Sequence, residues 1–281
     1  MKTWLITGCS SGLGKSLAKT VLERGDQAVV TARSPETLRY FEERFPDTAL
    51  IAALDVTDQA AIERTAAVAL ERFGSIDMLV NNAGYGYRAA VEEGDPEDTD
   101  RLFQTHFWGP IALIKAVLPS MRARRSGAII NFSSIAGLRT SPGSGYYAAA
   151  KRAVEGMSEG LRAELAPLGI KVMVVQPGAF RTEFAGRSLT QSKLVIADYE
   201  NTAGARRIGK DLSHDTQPGD PDKGARLVLQ AIEALEPPFR LLLGSDAVKF
   251  AKTVMKDRRE EYEKWAYFSR QSDFEEKGSG L

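Results

Sequence analysis

Seven short apolar runs recur along this chain, and longer segments of helical periodicity separate them. The runs are Trp4–Thr7, Ala28–Thr31, Ala49–Leu54, Ile76–Val80, Ala128–Phe132, Val172–Val175 and Phe239–Leu243. Runs of this kind read as strands, and the segments between them as helices. Regular strand–helix alternation with short turns predicts an α/β fold with a doubly wound parallel sheet and helices on both faces. Its crossovers should be right-handed, and its functional crevice should lie at the carboxyl ends of the strands.

Several helix starts carry their own markers. Ser34-Pro35-Glu36 places a capping serine, a first-turn proline and an acid in order, and Asp95-Pro96-Glu97-Asp98 does the same. Two regions break the rhythm. Residues 186–221 are polar and aperiodic, and a gap of this length in a compact domain reads as a substrate lid or as disorder. From Asp246 onward Val248, Ala251, Val254, Tyr262 and Trp265 fall at helical spacing opposite a densely charged face. The expected organisation is one domain over residues 1–245 and a C-terminal helical extension over 246–281. The extension should pack on the body or on a partner subunit, and its Gly-rich end should fray.

Composition narrows the function classes. Among 281 residues, Lys plus Arg and Asp plus Glu number 37 each, which gives no global pull toward nucleic acid or an anionic membrane. Cys9 is the only cysteine, so no intrachain disulfide forms, in keeping with a reducing compartment. No charged-then-apolar leader opens the sequence, and no apolar stretch is long enough for a membrane span. A soluble cytoplasmic protein is expected. With two histidines and that one cysteine, a His/Cys zinc site is not expected, and His214 in the polar segment should be exposed.

Two motifs carry chemistry. Thr7-Gly8-Cys9-Ser10-Ser11-Gly12-Leu13-Gly14 lies between the first apolar run and the first helical segment. Glycines there allow a tight turn, close backbone approach to a phosphate and tight helix–strand packing, while the helix N-terminus attracts the pyrophosphate of a dinucleotide. This is a Rossmann-type arrangement with Gly-x-x-x-Gly-x-Gly spacing. The second motif is Tyr147-Ala-Ala-Ala-Lys151. Four residues apart on a helix, phenol and ammonium share one face, and the nearby positive charge should favour the phenolate. Such a tyrosine can exchange a proton with a carbonyl or alcohol oxygen. Tyr146 competes for the role, but it lies about 100° round the helix from Tyr147.

Together these motifs resemble the short-chain dehydrogenase/reductase family over roughly residues 1–245. Further matches fall in order: Asp55-Val56 after the third run, Asn81-Asn82-Ala83-Gly84 after the fourth, Ser133-Ser134 after the fifth, and Pro177-Gly178 with Thr182 after the sixth. The resemblance implies that Tyr147 is the general acid–base, and that Lys151 lowers its pKa and holds the nicotinamide ribose. Ser134, at the family's usual separation from Tyr147, is preferred over Ser133 to hydrogen-bond the substrate oxygen. Gly8, Ser10, Ser11, Gly12, Leu13 and Gly14 would cradle the pyrophosphate, Asp55 and Val56 would contact adenine, and Asn82, Ala83 and Gly84 would line the cofactor. Pro177, Gly178 and Thr182 would hold the nicotinamide. Val30-Thr31-Ala32-Arg33 has no acid to bind a ribose 2′-hydroxyl, and Arg33 instead offers a fork for a 2′-phosphate, which favours NADP(H) over NAD(H).

One position departs from the family. His106, in His106-Phe107-Trp108-Gly109, replaces an expected asparagine, and Pro110 follows. A proline lacks the N–H that would bond the carbonyl four residues earlier, that of His106. His106 is therefore expected to serve a proton relay through its backbone, with a titrating imidazole or plain packing as other roles. A substrate wall of Tyr85, Tyr87, Leu138, Phe180 and Phe184 favours a hydrophobic carbonyl or secondary alcohol. The run Asn-Asn-Ala-Gly-Tyr-Gly looks like the steroid- and retinol-type branch. Two other readings stand beside this one. One is a dinucleotide-binding sensor that has lost turnover. The other is a 3-oxoacyl-thioester reductase, which would use the basic cluster Arg122, Arg124 and Arg125. Family resemblance also implies a homodimer or homotetramer, joined through the helices that carry His106 and Tyr147.

Overall fold

In the computed structural model, which describes residues 1–186, 188–207 and 216–274, all seven apolar runs are strands of one sheet. In chain order the elements are β1 (Thr3–Ile6), α1 (Gly12–Glu23), β2 (Gln27–Ala32), α2 (Arg39–Arg44), β3 (Ala49–Ala53), α3 (Gln59–Phe73), β4 (Met78–Asn81) and β5 (Gly86–Arg88). They continue with α4 (Pro96–Phe103), α5 (Gly109–Arg124), β6 (Gly127–Phe132), α6 (Gly145–Leu165), β7 (Ile170–Pro177), β8 (Leu189–Gln191), α7 (Pro221–Glu233), β9 (Arg240–Leu243) and α8 (Ser245–Arg270).

The main sheet has the order β3-β2-β1-β4-β6-β7-β9, parallel throughout. The order reverses between β1 and β4, and in a sheet of this type the crevice opens there. Side chains alternate between two cores. Trp4, Ile6, Val30, Val80 and Ile130 join the core that Leu17 and Val21 of α1 and Val228 and Ile232 of α7 complete. Leu5, Val29, Leu79 and Ile129 join the other, filled by Ile62 of α3, Leu113 and Val117 of α5 and Leu161 of α6. Burial on both faces explains why the strands read as continuous apolar runs rather than alternating ones.

The two predicted helix starts differ. Asp95 caps α4, accepting the N–H groups of Glu97 at 2.9 Å and Asp98 at 3.1 Å. The Ser34 hydroxyl caps nothing. Its carbonyl takes the Thr37 N–H at 3.1 Å, and Pro35–Leu38 tightens into a 3₁₀ turn that delivers Leu38 to the core before α2 begins.

Within the polar segment, β8 pairs in parallel with β5, matching Gly86 to Leu189, Tyr87 to Thr190 and Arg88 to Gln191. The buried Glu93 fastens the rest. It accepts the N–H groups of Ala90 at 3.0 Å and Ile196 at 2.9 Å and pairs with Arg207 at 2.5 Å. Its carbonyl takes the Ser192 hydroxyl. His214 and the Gly-rich end of the chain lie outside the described residues.

The expected apolar stripe of the C-terminal helix is only half used. Ala251 and Val254 pack with Leu138, and the last ties of α8 to the body come from Asp257 with Arg139 and from Arg258 with the Leu138 carbonyl. Val248 is 39% exposed, Tyr262 70% and Trp265 54%. At about 1.5 Å per residue the helix carries Trp265 roughly 16 Å beyond Val254, past the edge of the body. Val254→Ala is expected to cost about 2 kcal/mol, whereas Trp265→Ser should stay within about 0.5 kcal/mol, in urea unfolding followed by far-UV circular dichroism.

Candidate active site

The turn after β1 is built for backbone approach. Gly8 and Gly12 hold φ of +73° and +58°, a region that side chains disfavour. A Cβ on Gly8 would lie 2.8 Å from Ala83 Cα, and one on Gly14 would collide with the Asn82 amide and the Gly8 carbonyl. Asn82 locks this turn, donating from its amide to the carbonyls of Thr7 at 2.9 Å and Gly8 at 3.2 Å. Thr7 completes the clamp. Its hydroxyl accepts the N–H groups of Asn82 and Ala83 at 2.9 and 3.0 Å and donates to Val80 at 3.1 Å.

Asp58, Asp95 and Asp220 cap α3, α4 and α7 with their carboxylates. Ser11 leaves α1 without a side-chain cap, and no acid occupies the first turn of α1. The leading N–H groups and positive dipole end of α1 thus have no side-chain cap among the described residues, an arrangement that suits an anion such as a pyrophosphate. They open on a cavity of about 700 Å³. Every expected catalytic and cofactor-binding residue lines it except Gly14, which acts one layer beneath as a packing glycine. Arg33 and Asp55 lie beyond β2 and β3, where the adenosine would rest. The Asp55 carboxylate is engaged by the Thr57 N–H at 2.9 Å and hydroxyl at 2.7 Å.

Ser134, Tyr147 and Lys151 meet at the other end. The Tyr147 phenol is hydrogen-bonded to Ser134. Lys151 Nζ lies 5.7 Å from the Tyr147 ring centre and donates to the Phe132 carbonyl at 2.8 Å. The competitors point elsewhere. Tyr146 donates to the Val91 carbonyl at 2.6 Å, and Ser133 donates to the Glu155 carboxylate at 2.6 Å. The protonation equilibria correct the expectation of a depressed phenol. Burial pushes Tyr147 up to about 12, against the Ser134 hydrogen bond and the charge of Arg88, which pull it down. Burial also lowers Lys151 to about 7, against the charge of Glu155. Desolvation disfavours both ions, and it outweighs the neighbours that favour them.

His106 lies in a π-helical turn, Gln104–Trp108, where the Gly109 N–H reaches back to Gln104. Such turns recur at functional sites. Its Nε2 lies 2.7 Å from the Tyr85 carbonyl and 3.1 Å from the Tyr85 N–H, and the shorter contact favours a proton on Nε2. The buried Nδ1 has no partner among the described residues. The ring packs edge-on against Tyr147 at 5.5 Å and fills the space that a side chain on Gly84 would need. Burial first, and the Lys151 charge second, hold the imidazole well below its ordinary pKa of 6.5, which removes the titrating role.

Residues 2–193 match the short chain dehydrogenase family. This chain is a short-chain dehydrogenase/reductase. It is 39% identical over 269 residues to the oxidoreductase BOA17 of Botryotinia fuckeliana, covering 95% of this chain and 98% of that one. Identity to a 3-ketodihydrosphingosine reductase of Bacteroides thetaiotaomicron is 36% over 252 residues, covering 89% and 90%. A short-chain dehydrogenase structure from Streptomyces avermitilis superposes with a TM-score of 0.90 at 40% identity, covering 97% of this chain and 98% of that one. Other solved members hold NADP or NADH. The chain is thus an oxidoreductase of this family, and no helix among its described residues is long and apolar enough to cross a membrane.

The substrate end of this dehydrogenase differs from the expected apolar wall. Tyr85, Phe180 and Phe184 line the cavity. Tyr87 does not: it is buried, with its hydroxyl accepting the Asp95 N–H at 3.1 Å. Leu138 sits under α8 instead. Arg88, Ser188, Thr190 and Arg206 line the cavity and were not foreseen. The two-residue period of Gly86-Tyr87-Arg88, with Tyr87 turned inward, was the available signal for Arg88. The Arg122, Arg124 and Arg125 cluster lies at the opposite end of the sheet. Arg124 binds the carbonyl of Ile76 at 2.8 Å, just before β4, and Arg125 that of Pro167 at 2.5 Å. It cannot guide an acyl arm to Tyr147.

Because His106 charges in the unfolded chain near pH 6.5 but resists charging in the fold, stability is expected to fall as pH drops through about 6.5. In NMR titration of the two histidines, the His106 signal should stay flat between pH 5.5 and 8 while the fold persists.

Proposed function

We propose that this enzyme transfers hydride between NADP(H) and the carbonyl or secondary-alcohol carbon of a small substrate, with Tyr147 as general acid–base. The observation that carries the reading is the shared cavity. It begins at the uncapped N-terminus of α1 and ends at a tyrosine hydrogen-bonded to Ser134 and backed by Lys151. The nicotinamide, once bound, supplies or accepts the hydride. Ser134 holds the substrate oxygen beside the Tyr147 hydroxyl. At neutral pH the phenol keeps its proton, so it is loaded to donate to the oxygen of a carbonyl undergoing reduction. Lys151 stabilises the phenolate left behind. The assembled triad favours turnover over the sensor reading. The reductase names of the Bacteroides thetaiotaomicron relative and of a 3-ketoacyl-(acyl-carrier-protein) reductase from Brucella melitensis support a carbonyl substrate.

Arg33 supports NADP(H). Its exposed guanidinium lines the adenosine end, and no acid occupies the end of β2 to bind a free 2′-hydroxyl. His106 serves the proton relay through its main-chain carbonyl, which Pro110 deprives of the usual helical donor. Pairing of subunits would use α5 and α6, where Gly156 and Gly160 leave open space above the helix.

NADPH oxidation against a panel of ketones and aldehydes tests the reading. Tyr147→Phe should lose about 10²–10⁴-fold in turnover. Arg33→Asp should shift preference toward NADH. A parent enzyme that uses NADH as well as NADPH would remove the cofactor assignment. For the relay, Pro110→Ala is expected to slow turnover more than His106→Asn. The reverse order would assign the work to the imidazole.

A further inference from the structure

Arg206 and Arg207 are adjacent in sequence and opposite in use. Arg207 is consumed by structure: one guanidinium nitrogen lies 2.5 Å from Glu93 and another 2.7 Å from Glu200. These pairs pin the short turn Gly204–Arg206 to the body. Just before it, the buried Ala203 seals against Gly143, where a Cβ would find Ala203 Cα at 3.3 Å. Gly143 and Ser144 lead directly into α6 and Tyr147, so the turn that carries Arg206 packs against the approach to the Tyr147 end of the cavity. Arg206 lines the cavity, partly buried, and its guanidinium has no hydrogen-bond or ion-pair partner among the described residues.

A second guanidinium stands beside the same end. Arg88 lines the cavity, donates to the Ser144 hydroxyl at 2.7 Å, and brings its charge close enough to act on Tyr147. For Arg206 acids offer little balance, because the only described carboxylates lining the cavity are Asp55, engaged by Thr57, and Asp98, paired with Arg101 at 3.6 Å. A partly desolvated guanidinium held without a counter-charge is costly unless a ligand supplies one. The planar fork of arginine matches a carboxylate with two parallel hydrogen bonds. Tyr85 and Phe184 offer apolar contact next to these cations.

Resting on the oxidoreductase reading, we propose that the substrate is an oxo acid or hydroxy acid with an apolar carbon skeleton, and that Arg206 is the specificity residue that holds its carboxylate. Arg88 adds a second positive charge on the Tyr147 side. The turn Gly204–Arg206 thus contributes to substrate recognition, and the Glu93–Arg207 pair is its anchor.

Two measurements keep this inference separable from the hydride-transfer reading. Isothermal titration of the NADPH-loaded protein with 4-phenylbutanoate and 4-phenylbutanamide compares carboxylate with neutral amide. The acid is expected to bind about tenfold tighter or more. That preference should vanish in Arg206→Gln and return in part in Arg206→Lys. Equal binding of acid and amide, or a preference that survives in Arg206→Gln, overturns the inference. Steady-state reduction of 2-oxo-4-phenylbutanoate and its ethyl ester is then compared, with the acid expected to have the lower KM and Tyr147→Phe inactive on both. Reduction of the ester with the acid rejected sinks the carboxylate site and leaves hydride transfer standing. Tight acid binding with neither compound reduced does the opposite.

Discussion

The site depends on one close approach, between the turn after β1 and the turn after β4. Gly8, Gly14 and Asn82 meet with no room for a further carbon, and Thr7 ties the two turns together through its hydroxyl. That approach aims α1 at the crevice. It also places Ala83 and Gly84 where the floor of the cavity passes toward His106. A larger residue at any of these points would separate β1 from β4 at their carboxyl ends and tilt the helix dipole away from its ligand. Both faces of the sheet are already filled by packed cores, so the carboxyl ends are where the fold can afford polar chemistry.

Burial then sets the electrostatics. Tyr147, Lys151 and His106 are all driven toward their neutral forms by desolvation. Any charge the chemistry needs must come from neighbours. For Tyr147 these are the Ser134 hydrogen bond and the Arg88 charge. For Lys151 it is Glu155, one helical turn further along α6. Glu155 is itself held by Ser133 at 2.6 Å and Gln176 at 2.9 Å, with Arg240 of β9 at 3.7 Å. Ser133 therefore serves as a donor to the carboxylate that supports Lys151.

Legibility in the sequence followed the range of the forces involved. The seven strands of the main sheet and the phosphate turn were readable because their causes are local: apolar runs, helical periodicity and glycine spacing. The pairing of β5 with β8 was not, since three-residue strands separated by a hundred residues leave no periodic trace. The π-helical turn at His106 was anticipated only as a missing donor at Pro110. Tyr147 and Lys151 were expected on one helix, and α6 carries both, but burial shifts their protonation the other way, because four-residue spacing reveals a neighbour and says nothing of how much water both have lost. Arg88 and Arg206 escaped notice, and Tyr262 and Trp265 proved exposed, for the same reason. Residue type suggests a face, and only the packed body decides which face is covered.

The C-terminal extension illustrates how a boundary drawn by sequence can cut through a working unit. Residue 246 was expected to open a C-terminal helical extension, and α8 begins at Ser245; Asp246 accepts the Ala179 N–H at 2.7 Å and its carboxylate fills the space beside Gly178. The Gly178 N–H is meanwhile held by the Leu243 carbonyl at 2.9 Å. The loop after β7, which lines the cavity at Pro177 and Gly178, is thus braced from behind by the start of α8. The first turns of that helix position the site, and the turns after Arg258 do not. Selection on the two halves of one helix should accordingly differ, with the first half answering to cofactor geometry and the second to whatever its exposed aromatic residues meet.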